Sequence, residues 1–81
     1  MTKENIKRML TEMIERDFDI DEIAHMFCDI NNYLGEKRAA EIEDRQEYKE
    51  SHMESAARWR KWTEETLSSL GLDYTIEEIE A

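Results

Sequence analysis

The chain contains no proline and no valine, and its only glycines are Gly35 and Gly71. A sheet protein of this length needs turn glycines at short intervals and β-branched alternation between them, so these absences exclude an all-β architecture. Long apolar runs are missing too. The longest stretch of large apolar residues is Met26-Phe27-Cys28, far short of a membrane span or the apolar part of a signal peptide. A single cysteine, Cys28, rules out an internal disulfide framework and suits a reducing cytoplasm. Positive charge is scarce: 11 Lys and Arg against 21 Asp and Glu leave a formal net charge of −10. Such a chain is repelled by phosphates within a Debye length, which argues against direct contact with nucleic acid or an anionic membrane.

What remains is helix-forming. Glu, Lys, Arg, Leu, Met and Ala dominate, residues that lose little rotamer freedom in a helix. Residues 1–81 therefore predict a single small all-α domain, near the lower size limit for one unaided core. Thr2 is placed as an N-cap, and Ile6, Met9, Leu10, Met13 and Ile14 follow as the stripe of an amphipathic helix over about 3–16. Asp19 and Glu22 have capping-box spacing, and Phe18 and Ile23 are spaced as a hydrophobic staple. They open a second helix over about 20–34 through Met26, Phe27, Ile30 and Leu34, with Asn31, Asn32 and Gly35 weakening its end. These two helices are expected to form a tight hairpin.

From about 36 to 70 the chain has no helix breaker and predicts one long third helix. Its first half offers only Ile42 and Tyr48 as large apolar residues, so it is expected to project into solvent or meet a partner chain. A kink near Ser51-His52 is the competing arrangement. Its second half carries Ala56, Ala57, Trp59, Trp62, Leu67 and Leu70 as a face to pack on the hairpin. Gly71 suits the left-handed position after a helix. Thr75 and Glu78 repeat the capping-box spacing, with Tyr74 and Ile79 as a second staple, so a short helical turn is expected over 76–80.

Chemistry-bearing patterns are sparse. Asp17, Asp19 and Asp21 begin like a calcium loop, but Glu22 stands where the turn needs glycine and Cys28 where a bidentate Glu is required. His25 and Cys28 lie three apart, with Asp29 or His52 as a third ligand, which is half a zinc site; no orienting group or oxyanion donors accompany them for nucleophilic catalysis. Cys28 reads instead as a small buried apolar residue beside Phe27. No cofactor and no enzymatic reaction are expected. Arg58-Trp59-Arg60-Lys61-Trp62 interleaves bases and aromatics as single-strand binders do. Its i, i+3 tryptophans share a face, so the expected role is core anchoring, with an exposed indole serving as an interface anchor. Glu22-Ile23-Ala24, four residues before Cys28, resembles the first helix of a helix-turn-helix unit. Cys28 and Asp29 replace its glycine and hydrophobic residue, and the region is net negative, unlike a DNA reader.

The acid is concentrated. Residues 17–34 hold five Asp and Glu and no Lys or Arg, and residues 71–81 hold four and none. The resulting expectation is a small acidic protein-binding module. It would be an inhibitor or adaptor that covers the basic, nucleic-acid-handling surface of a host or regulatory protein, in part by imitating a nucleic-acid backbone. In size, charge and lack of reaction chemistry it is similar in style to the accessory and anti-defence proteins of phages. The contact residues expected are Asp17, Asp19, Asp21, Glu22, Glu43, Asp44, Glu47, Glu77 and Glu78, with Tyr48, Trp59 and Trp62 as anchors. The alternatives are a structural or regulatory subunit that forms a homodimer through its long helix, and a metal protein centred on His25 and Cys28.

Overall fold

A computed structural model describes residues 2–81. Four helices follow in order, α1 (Lys3–Glu15), α2 (Ile20–Ile42), α3 (Gln46–Ser69) and α4 (Ile76–Glu80), with no strand among the described residues. The all-α class and the short terminal helix are as the sequence predicts. None of these helices is long and apolar enough to cross a membrane.

The division into helices differs from the expectation in one respect that reorganises the molecule. Gly35 does not end α2, which runs on to Ile42, and the break falls at residues 43–45. A glycine inside a helix costs only about 1 kcal/mol relative to alanine. The helix formers that follow it, and the packing of Tyr33 and Ala40, both buried, outweigh that penalty. There is thus no continuous helix over 36–70, and α3 passes through Ser51 and His52 unbroken. The hairpin is formed by α2 and α3, which make the dominant helix pair, not by α1 and α2. Residues 36–42, expected to overhang, fold against the start of α3, and His52 Nδ1 meets Glu36 Oε2 across the pair at 2.7 Å.

The turn at 43–45 is closed by charge instead of by glycine. Glu43 Oε1 accepts from both the Arg45 backbone N–H and its Nε, each at 3.0 Å. The Arg45 guanidinium then lies over the Tyr48 ring, 4.1 Å from its centroid. These contacts, the Arg45 side chain first and its backbone N–H second, hold the Glu43 carboxyl down at about 2.

The apolar core sits at the other end of the hairpin. Met9 and Met13 of α1, Met26, Ile30 and Tyr33 of α2, Leu67 of α3, and Leu72, Ile76 and Ile79 form one buried cluster. Helices α1 and α4 cover the base of the hairpin, and the molecule extends 44 Å along its length. Two expected core residues lie outside: Ile14 of α1 is 61% exposed, and Ala57 is exposed because the face of α3 turned inward centres on Thr63 and Leu67.

Local chemistry fixes the ends of the helices. Thr2 accepts from Asn5 N–H, and both capping boxes, Asp19 with Glu22 and Thr75 with Glu78, are formed. Asp17 adopts φ 60 and Gly71 φ 66, the left-handed turns that stop α1 and α3. Arg16 joins these two points: its guanidinium donates to the carbonyls of Gly71 and Leu70 at 2.9 and 3.0 Å, and lies 4.8 Å from the Phe18 ring centroid. A cation is thereby set against the negative end of α3. On the opposite side, Arg8 pairs with Glu78 at 2.9 Å and Asn5 donates to the Glu78 carbonyl, which clamps α1 to α4.

Candidate partner-binding groove

An antiparallel hairpin places the first half of α2 beside the last half of α3, and an open groove of about 750 Å³ runs between them, within the size range of ligand clefts. One wall is a single stripe of α2, Glu22, His25 and Asp29, with Asp19 and Asp21 at its start. The other is a stripe of α3, Trp59, Trp62, Thr66 and Ser69, with Glu65 beside it and Leu70 at the end. The spacing of three or four residues on both sides explains why these residues face one another. No Lys or Arg is among the described residues that line it.

The two indoles meet edge to face, with ring centroids 4.8 Å apart and planes at 83°. Trp59 is half-buried and packs on the core. Trp62, read from the sequence either as a core anchor or as an exposed interface indole, is 44% exposed. Thr63 takes the inward position next to it, fully buried, with its hydroxyl donating to the Trp59 carbonyl at 2.6 Å. One residue's rotation around the helix, about 100°, moves Trp62 off the core face and onto the groove.

Asp29 lies at the bottom, only 5% exposed. Its Oδ2 accepts from the Thr66 hydroxyl at 2.7 Å and stands 3.4 Å from His25 Nε2. Both contacts fall on that one oxygen, and among the described residues no donor reaches Oδ1. At the mouth, Asp19 and Glu22 are engaged with each other's backbone N–H groups at the start of α2. Asp21 and Glu65 are exposed.

The contact residues expected from the sequence separate into four places. Asp19, Asp21, Glu22, Trp59 and Trp62 converge on the groove. Glu43, Asp44, Glu47 and Tyr48 sit at the far turn of the hairpin, where Glu43 and Tyr48 are tied to Arg45. Glu77 and Glu78 lie on α4 and face Arg60 at 3.5 Å and Arg8 at 2.9 Å. The Thr75 backbone N–H first, then the Arg8 guanidinium and the Thr75 hydroxyl, keep Glu78 below the ordinary carboxylate value. Asp17 is the left-handed residue that ends α1. Glu65 and Thr66 escaped the sequence reading, although they follow Trp62 at helical spacing; Asp29 entered it as a metal ligand and as a departure from the helix-turn-helix pattern.

The His25 and Cys28 pair does not converge. Cys28, expected to be buried, is exposed and accepts from Asn32 Nδ2 at 3.4 Å, while His25 leans toward Asp29 and His52 is occupied with Glu36. Asp29 faces the groove because its side chain lies one position further round α2. Among the described residues no three His, Cys, Asp or Glu side chains are grouped as a metal site. Two bases of the Trp cluster are engaged elsewhere: Arg60 pairs with Glu64 at 3.0 Å and Arg58 donates to Ser55.

No protein-family model, no curated protein and no solved structure matches this chain.

Proposed function

We propose that this chain is an acidic protein-binding module that docks through the α2–α3 groove onto a basic surface of a target protein. It acts there as an inhibitor or adaptor of a nucleic-acid-handling partner and not as a catalyst. The observation that carries this reading is the union of an exposed tryptophan with carboxylates from two helices in one groove that has no Lys or Arg among its described lining residues, His25 leaning on Asp29 being its one imidazole. Tryptophan is the residue type most enriched in interface hot spots. Acidic rims speed encounter with basic partners and reject nucleic acid. The carboxylates of the groove and the far turn then occupy positions that phosphates take on the target, in the manner of the small inhibitors that phages make. The setting that suits this role is the cytoplasm, where the exposed thiol of Cys28 stays reduced.

Affinity capture from cell lysate tests the reading, with wild type and a Trp62→Ala/Glu65→Gln variant compared at about 50 and 300 mM salt. The expected captured proteins are basic, are released by salt, and are lost with the variant. Equal capture by the variant sinks the groove as the docking site.

A second reading is supported by a different surface. Tyr33, Ala40, Met53, Ala56 and Ala57 line a mostly apolar groove of about 390 Å³ on the hairpin, and Met53 is 55% exposed. A subunit role with a homodimer formed through this face, two hairpins making four helices, follows from it. Mass measurement in solution decides: a monomer at all micromolar concentrations removes this reading.

A further inference from the structure

Resting on the proposed docking role, we infer that the groove is built to take an arginine side chain of the target, its guanidinium stacked on the exposed indole of Trp62 and bonded to Asp29 and Glu65. Three observations lead there. First, Asp29 is more than nine-tenths buried yet offers one carboxylate oxygen, Oδ1, with no donor among the described residues, while Oδ2 is held by Thr66 and His25. Oδ1 is not sealed from solvent, Glu12 Oε2 being the buried side-chain oxygen without a partner among the described residues, so it is open to accept an N–H from a group that enters the groove. Second, Glu65 and Asp21 stand at the rim without an ion pair among the described residues, whereas Asp19 and Glu22 are occupied at the helix start. The charge awaiting a partner is therefore negative on both walls. Third, Trp62 presents an exposed ring on the α3 wall, packed edge to face against Trp59.

These features select a guanidinium over an ammonium. A guanidinium is planar, weakly hydrated and carries five N–H donors in a fixed fork, so it stacks on an indole and still reaches two carboxylates. A lysine ammonium is a strongly hydrated point charge that cannot stack, and it loses more water on entering a groove floored by a buried carboxylate. The two tryptophans are the only ones in the chain, and both line this groove, Trp62 exposed and Trp59 also packed on the core.

The test is titration of the full-length, ¹⁵N-labelled protein with three forms of one Gly-Ser peptide, carrying arginine, lysine or citrulline at two central positions. The indole N–H resonances of Trp59 and Trp62 are the readout. The expected result is saturable shifts with the arginine peptide, affinity lower by about five-fold for lysine, and no saturable shift for citrulline, which keeps the shape but lacks the charge. Trp62→Leu and Glu65→Gln, both surface changes, each weaken the arginine peptide by at least about three-fold, while Glu54→Gln, outside the groove, leaves it unchanged. Equal or tighter binding of the lysine peptide overturns the arginine assignment and leaves the basic-docking role standing. Absence of saturable shifts with both charged peptides overturns both.

Discussion

Removal of one hydroxyl, by Tyr33→Phe, tests how α4 is fastened to the rest of the molecule. Tyr33 is buried to 4% exposure, and its hydroxyl donates to the Glu80 carboxylate, which also pairs with Lys37 Nζ at 3.0 Å. The phenyl ring preserves the packing, so the change isolates the hydrogen bond. A bond to a charged acceptor contributes about 1.5–3 kcal/mol. Lys37 and water retain part of the carboxylate's solvation after the change, since Glu80 keeps 26% of its side-chain surface exposed, which lowers the expected loss to about 1–2 kcal/mol. For a domain of this size that corresponds to a fall in Tm of about 5–12 °C. Urea and thermal unfolding followed by circular dichroism measure it. Glu80→Gln and the double variant complete a cycle whose coupling should exceed about 0.5 kcal/mol. The acid limb supplies a second readout. Glu80 is held below its ordinary carboxylate value, first by Tyr33 and then by Lys37, so the stability it confers is present above about 4.5 and fades as pH falls through the lowered value. Tyr33 itself is pushed up, by burial first and then by Glu80, so its contribution is complete below about 10 and is lost in stronger alkali. The Phe variant flattens both limbs. A loss within about 0.3 kcal/mol together with an unchanged pH profile refutes this account of the contact.

Three further outcomes follow from the fold. The Glu43 carboxyl titrates at about 2 by NMR and moves back toward 4.5 in Arg45→Gln, and the turn it closes weakens as pH falls from 4.5 toward 2; an unshifted Glu43 contradicts the turn chemistry. Asp17→Gly relieves a left-handed backbone at φ 60 and raises stability by about 0.5–1 kcal/mol in urea unfolding, whereas Asp17→Ala lowers it. Ile79→Ala removes a fully buried side chain of α4 and costs about 2–4 kcal/mol; a loss under about 1 kcal/mol, by the same assay, means α4 is not part of the cooperative core.

The features legible in the sequence are those decided within a few residues. The Asp19 and Thr75 caps, their Glu22 and Glu78 partners and the left-handed Gly71 are all read from local spacing, and each is formed. The position of the hairpin turn is a different kind of problem. Gly35 looks like a stop, and Glu43-Asp44-Arg45 looks like ordinary helix surface. The outcome depends on contacts between residues 36–42 and the start of α3, which exist only after the chain has folded back. The groove inherits that difficulty. Its acids and its tryptophans were each visible as separate patterns, but only the pairing of α2 with α3 sets Glu22, His25 and Asp29 opposite Trp59, Trp62 and Thr66. Likewise, the burial of Thr63 beside an exposed Trp62 depends on which face α3 turns toward the core, for which a run with aromatic residues at both 59 and 62 gives no cue.

The uneven placement of the apolar cluster has a mechanical meaning. Every large side chain of the main cluster lies at the closed end with α1 and α4, while the far turn carries Ile42 and Tyr48 on its outside and is latched by one arginine. Unzipping that turn uncovers little hydrocarbon, so it is nearly indifferent to urea and proceeds far more often than global unfolding. Amide exchange is therefore graded along the 44 Å rod, fastest beside Arg45 and slowest around Met26. The tip can reshape itself against a surface while the head stays rigid.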